Sequence, residues 1–300
     1  MNSLTESVDM FTVAQAGEVA AATSEWYAKR LSMFAEFVGG ETPMERISAA
    51  MLRAYRAHLV KRGLSPHTVH GHQRALRRFF SWCLKERLIT ANPAADVPLV
   101  KLPQQPPKAI SKGDFDRLLR QLPNEPPRDR AIVLLLADTG CRVGGLCSMS
   151  LNTLDLIGRS AMVVEKGNRA RRVYYTPPTA QAIRDYLEVR PDAPTDALFI
   201  TRFGQALTTN SVRLLLVRLG KRAGVRGRCN AHSFRHAFAR DYLERGDLLS
   251  LQRILGHTPG SAVTAQYYAV WDDRELQRFH DRYSPLVRAA EYEDAGTHKP

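Results

Sequence analysis

Between Asn92 and Lys108 the chain places five prolines in seventeen residues, NPAADVPLVKLPQQPPK. Proline lacks the backbone N–H that helices and central strands need, and it forces the preceding residue into extended conformation. The stretch therefore divides a chain of 300 residues into two separately folding parts, and the linker is placed at 98–108. What precedes it repeats apolar residues at helical spacing: Trp26, Leu31, Phe34 and Phe37, then Ile47, Met51, Tyr55 and Leu59. Gly63 closes that run, and Ser65-Pro66 opens a third helix with a capping serine and a proline at the first helical position. This helix runs from about Pro66 to Lys85, with Val69, Leu76, Phe79, Phe80 and Trp82 inward and His67, His70, His72, Arg74, Arg77 and Arg78 directed largely elsewhere.

After the linker, helices are expected near 112–122 and 126–139. Three strand-like runs follow near 154–157, 161–165 and 172–176, the last two joined by a Gly167-Asn168 turn. Helices are then expected near 178–190, 209–222, 233–246, 248–256, 261–270 and 272–283. The fold class is thus mainly α, two domains, the second with one small antiparallel sheet. The boundaries read 1–16, a loose leader without Lys or Arg; 17–97, the helical first domain; 98–108, the linker; 109–288, the second domain; and 289–300, a polar tail.

Charge narrows the partner. The chain carries 43 Lys and Arg against 30 Asp and Glu, a net +13. Thirteen basic and seven acidic residues fall within 17–107, and 29 against 18 within 108–288, so both large segments are basic. Two basic domains suit one polyanion, most simply nucleic acid. The longest apolar run, Ala131 to Ala137, is far short of a membrane span. Four cysteines, Cys83, Cys141, Cys147 and Cys229, make neither a disulfide scaffold nor paired zinc spacing. The expectation is a reduced, soluble, cytoplasmic protein.

Four separated pieces of the second domain carry chemistry suited to phosphoryl transfer. In ADTGCRVGGLCSM, Arg142 begins a helix whose free N–H groups favour an anion beside it. In VVEKGNRARRV, Lys166 sits at a hairpin tip from which it can donate a proton to a departing oxygen. In NAHSFRHAFARDYLERGD, His232 and Arg235 are three apart and share one helix face. His232 and His236 have zinc-protease spacing, but Ser233 stands where that motif needs Glu, so no metal site is read here or among His67, His70 and His72. In LQRILGHTPGSAVTAQYYAVW, His257 follows a glycine-ended helix, and Tyr267 or Tyr268 can attack a phosphodiester and hold it covalently.

Arg, Lys on a hairpin, His-x-x-Arg, Leu-Gly-His and Tyr in this order resemble the tyrosine recombinase (phage integrase) family over nearly the whole chain. The match is closest to its Xer-like and integrase-type bacterial members. The segment GLSPHTVHGHQRALRRFFSWCLKERLITANPA is similar to that family's helical core-binding domain. The resemblance implies a two-domain clamp on duplex DNA bearing an inverted-repeat core site, and a homo- or hetero-tetramer on it. It implies that Arg142 and Arg235 hold the scissile phosphate, that His232 and His257 hydrogen-bond it, and that Lys166 protonates the leaving 5′-hydroxyl. Tyr268, with Tyr267 as alternate, would form a 3′-phosphotyrosyl link; that link conserves the bond energy, so no cofactor, ATP or metal is called for. Thr264 four residues before Tyr268 and the Ala-x-Trp after it favour Tyr268; Tyr267 would shorten an insertion of one or two residues relative to the usual spacing.

His70, Arg74, Arg77 and Arg78 are the candidate DNA contacts of the first domain. Asp272 to Tyr283 is a candidate for the last helix, which in this family docks on a neighbouring subunit. One departure stands out: the family usually has an acid three positions after its first arginine, and here Gly145 occupies that place. A type IB topoisomerase and a catalytically silent DNA-binding protein are the alternatives.

Overall fold

The computed structural model describes residues 2–103, 108–165, 167–244 and 246–256. The chain divides into two compact units, Met1–Gln105 and Pro106–Pro300, and the described residues are mainly helical, with one three-stranded sheet.

The first unit contains four α-helices, α1 (Leu4–Ala14), α2 (Ala21–Val38), α3 (Ala49–Lys61) and α4 (Pro66–Lys85). The expected loose leader is corrected here, because α1 is an integral part of the unit. Ser3 and Glu6 form a reciprocal cap, the Glu6 N–H donating to Ser3 Oγ at 3.2 Å and the Ser3 N–H to Glu6 Oε2 at 2.8 Å. Leu4, Val8 and Phe11, spaced for one helix face, are buried. Phe11 packs edge-on against Tyr27, Phe79 and Trp82, with ring centroids 5.4–5.6 Å apart.

α4 forms the opposite wall through Val69, Leu76, Phe79, Phe80 and Cys83. His72 belongs to this face too, against the outward placement expected of it. It is buried with Nδ1 3.0 Å from the Tyr55 hydroxyl. Burial, reinforced by the positive charges of Arg30 and Arg62, pulls its pKa down to about 4.

The linker begins later than expected. Pro98 and Val100 are fastened to α4: Gln73 Nε2 donates to the Pro98 carbonyl at 3.0 Å, and the Val100 N–H donates to Gln73 Oε1 at 2.7 Å. His70 Nδ1 lies 2.9 Å from the Val100 carbonyl, and Arg77 donates to the Val97 carbonyl at 2.8 Å.

The second unit is built around α6 (Pro127–Thr139), whose residues Ala131, Ile132, Val133, Leu135 and Leu136 are all buried. α5 (Lys112–Gln121) precedes it, and the short α7 (Val143–Cys147) follows. The sheet is antiparallel in the order β1 (Leu154–Asp155), β2 (Ser160–Glu165) and β3 (Arg169–Tyr174), with Val163 opposite Arg171 and Glu165 opposite Arg169. β3 begins three residues earlier than its apolar content indicated, because the hairpin register continues through Arg169–Arg171. Three residues, 166–168, connect the paired Glu165 and Arg169, and Gly167 and Asn168 have φ of 81° and 55°, the left-handed region that glycine and asparagine enter most readily.

Four more helices complete the described unit: α8 (Pro177–Val189), α9 (Thr209–Arg222), α10 (Ala231–Leu243) and α11 (Leu248–Leu255). Asp138, near the end of α6, accepts from the Thr176 N–H and from the Thr176 and Thr179 hydroxyls at 2.7–2.8 Å, which fixes the start of α8. Ala239, Leu243, Leu251 and Leu255 form a separate apolar cluster that packs α10 on α11. The helices expected at 261–270 and 272–283 lie outside the described residues.

Candidate DNA-cleavage site

Arg235 organises the centre. It sits in α10, which Asn230 caps through Ser233 at 2.9 Å, so that the helix starts two residues earlier than its apolar pattern predicts. The Arg235 side chain projects into the unit, with the residue only 4% exposed. Its Nη1 donates to the Gly140 carbonyl and its Nη2 to the Leu255 carbonyl, both at 2.8 Å. Gly140 ends α6 two residues before Arg142, and Leu255 ends α11 two residues before His257. One planar guanidinium thus ties together the two chain ends that lead into these candidate residues.

Arg142 is the N-cap of α7, so the helix proper begins at Val143. Its Nη1 donates to Glu165 Oε2, and its backbone N–H donates to Glu165 Oε1 at 3.3 Å. The anion expected at this helix start is therefore a carboxylate of the chain itself. The Glu165 side chain is buried, 6% exposed, whereas that of Arg142 is 39% exposed and keeps donors open to an incoming ligand.

Arg171 joins the same carboxylate from β3, Nη2 donating to Glu165 Oε1 at 3.0 Å, while Nη1 donates to the Ile254 carbonyl at 2.6 Å. Burial alone would raise the Glu165 carboxyl. The Arg171 hydrogen bond, the charges of Arg171 and Arg142 and the Arg142 N–H outweigh it and hold the group below the ordinary carboxylate range.

Gly256 closes this arrangement. Its φ is 66°, and a Cβ there would lie 2.6 Å from Arg171 Cδ. The glycine of Leu-Gly-His both terminates α11 and lets Arg171 pass beneath the turn that leads to His257.

His232 is exposed at the start of α10, its ring 6.4 Å from that of His236. The partly buried His236 has its pKa lowered by burial and by the neighbouring His232 and Arg235. Lys166, His257, Tyr267 and Tyr268 lie outside the described residues, as does the 272–283 segment. Among the residues described, Arg142 and Arg235 are linked to the framework that leads to His257, and β2 ends immediately before Lys166. No group of three or more His, Cys, Asp or Glu side chains suited to a metal occurs among the described residues. None of their helices is long and apolar enough to cross a membrane.

The first unit's candidate contacts divide. Arg74 is exposed, and Arg78 is exposed beside Glu18 at 3.8 Å. His70 and Arg77 hold carbonyls of the outgoing chain.

Motif order does not single out Glu165 and Arg171, although the strand pattern carries a signal for them. Ala161 and Val163 face inward, and a period of two brings Glu165 to the same face. Val173 does the same for Arg171. Charged residues on the buried face of a short hairpin call for partners.

Residues 108–274 match the phage integrase family, and residues 9–90 match the N-terminal SAM-like domain of phage integrases. Tyrosine recombinase XerC of Alcanivorax borkumensis is 32% identical over 264 residues, covering 85% of each chain. XerC of Shigella dysenteriae serotype 1 is 30% identical over 269 residues, covering 87% of this chain and 90% of the relative. A Tn1549 transposon integrase, solved in complex with a circular intermediate DNA, shares the fold at a TM-score of 0.79 and 18% identity, covering 95% of this chain and all of that one. With the family match spanning more than half its length and XerC relatives aligning across both units, the chain belongs to the phage integrase family, the tyrosine recombinases.

Proposed function

We propose that this recombinase cuts and rejoins duplex DNA at specific sites through a covalent 3′-phosphotyrosyl intermediate. Arg142 and Arg235 bind the non-bridging oxygens of one backbone phosphate and stabilise the charge that builds on them in the transition state. The phenolic oxygen of Tyr268 gives up its proton to the imidazoles beside the phosphate and attacks phosphorus, and the bond between phosphorus and the 5′ oxygen breaks. Lys166 supplies the proton that the departing 5′-oxygen needs. His232 and His257 hydrogen-bond the same phosphate. Rejoining runs the steps in reverse: the 5′-hydroxyl attacks, and the tyrosine leaves. The fixed cations perform the charge stabilisation that metal ions provide in other phosphoryl-transfer sites.

The observation that carries this reading is the Arg235 fork, which joins the carbonyls two residues before Arg142 and two residues before His257. Arg74 and Arg78 contact the DNA backbone from the first unit, while the chain works as a tetramer on an inverted-repeat site in the cytoplasm.

The test starts from a pool of random-sequence duplexes. Those that the protein retains define its site, and a nicked duplex carrying that site traps the covalent adduct under SDS. Tyr268→Phe abolishes the adduct and keeps DNA affinity. An adduct that survives in Tyr268→Phe and vanishes in Tyr267→Phe moves the nucleophile by one residue, and no adduct from the unaltered protein leaves a DNA-binding protein. Relaxation of any supercoiled plasmid, with no site required, would instead favour topoisomerase-like action.

A further inference from the structure

Position 145 lacks the acid that this family usually carries three residues after its first arginine, yet the space is not empty of charge. A Cβ on Gly145 would lie 3.3 Å from Val163 Cβ and 3.5 Å from both Cγ and Oε1 of Glu165. The Glu165 side chain therefore lies in van der Waals contact with the position where a side chain at 145 would begin. Its two oxygens accept from the Arg142 backbone N–H, Arg142 Nη1 and Arg171 Nη2. We infer that Glu165 is the positioning residue for Arg142, supplying from the end of β2 the carboxylate that α7 lacks.

The inference rests on the recombinase reading of this site and extends it to a residue that touches no DNA itself. An arginine side chain has several free torsions, and an exposed one samples many rotamers. Here one terminal nitrogen is held by a buried carboxylate, which is in turn fixed by Arg171 and, through Arg171, by the Ile254 carbonyl at 2.6 Å. The result is a continuous chain of contacts from α7 through β2 and β3 to the end of α11. Stability alone gives little reason for such a cluster, since well-packed apolar residues generally serve a core as well as a buried ion pair does. What the carboxylate adds is orientation, and it lets two guanidinium groups share one neighbourhood.

The test uses the full-length protein, with two measurements. In free protein, modification of Arg142 by phenylglyoxal is followed by peptide mass spectrometry, with Arg240, paired to Asp241, as the internal reference. Glu165→Gln keeps the shape and removes the charge. It should make Arg142 react several-fold faster while Arg240 is unchanged. Equal Arg142 rates in the two proteins overturn the inference, whether or not either cleaves DNA.

On the nicked duplex, Glu165→Gln should slow single-turnover cleavage about 100-fold, the size expected when a reacting group is misplaced by about 1 Å, with duplex affinity little changed. Gly145→Glu/Glu165→Ala, which moves the acid to the vacated space, should recover cleavage relative to Glu165→Ala alone. Cleavage at the wild-type rate in Glu165→Gln, or no recovery on relocation, overturns the positioning role. An unaltered protein that never forms the adduct refutes the recombinase chemistry, and the phenylglyoxal comparison still decides whether Glu165 holds Arg142.

Discussion

Replacing Arg235 by lysine keeps the charge and removes the fork, which separates the architectural from the electrostatic part of its role. The residue is 4% exposed, and its two outer nitrogens each donate to a main-chain carbonyl at 2.8 Å. A single ammonium on a shorter stem does not reproduce that planar pair. At least one carbonyl then loses a hydrogen bond from a charged donor, worth about 1.5–3 kcal/mol, and is left buried without a partner. We expect Arg235→Lys to destabilise the second unit by about 3 kcal/mol. For a unit of this size that is a fall in melting temperature of roughly 10 °C. Differential scanning calorimetry of the full chain reads the shift, and the nicked-duplex assay reads a loss of cleavage in the same protein. A variant that melts with the wild type while losing cleavage would refute the claim that this arginine braces the ends of α6 and α11.

Two further outcomes concern the first unit. Below pH 6.5 the unfolded chain takes up a proton that His72, held down to about 4, refuses in the folded state. Stability is therefore lost as pH falls from 6.5 towards 4, by at most about 3 kcal/mol. The difference in urea stability between wild type and His72→Phe should acquire this slope, and a flat difference would contradict the buried neutral imidazole. Phe11→Ala should cost about 3–5 kcal/mol, as for a buried aromatic, read by thermal unfolding of the first unit. A loss below about 1 kcal/mol would return the N-terminal residues to a loose leader.

Which parts of this fold were legible depends on which physical signal each segment carries. α4 was readable end to end because Ser65, Pro66 and its apolar stripe all agree. The absence of Lys and Arg from residues 1–16 suggests a loose leader, whereas the spacing of Leu4, Val8 and Phe11, with Ser3 and Glu6, specifies the capped helix α1. His72 was directed outward by residue type, whereas its position one turn before Leu76, and three residues after Val69, puts it on the buried face. The prolines of 92–108 place Pro98–Val100 in the linker, yet its backbone carbonyls remain acceptors, and Gln73 and His70 use those of Pro98 and Val100.

In the site, Arg142 and Arg235 were recognisable from motif order. The Glu165–Arg171 pair was not, because its importance comes from a hairpin register that brings it against α7 and α11. A gap at Gly145 on one element and an unexplained buried acid on another become one feature only when the elements are packed.

The central claim is that Arg142 and Arg235 act by stabilising charge on the non-bridging oxygens of one scissile phosphate. Placing a methylphosphonate at that linkage of the nicked duplex replaces an oxygen with a methyl group and removes the charge. Adduct yield is then compared between Arg142→Ala on the neutral and on the ordinary linkage. The account predicts that the variant, inactive on the diester, regains adduct formation on the methylphosphonate. Equal inactivity on both, with the unaltered protein cleaving the diester, would contradict it.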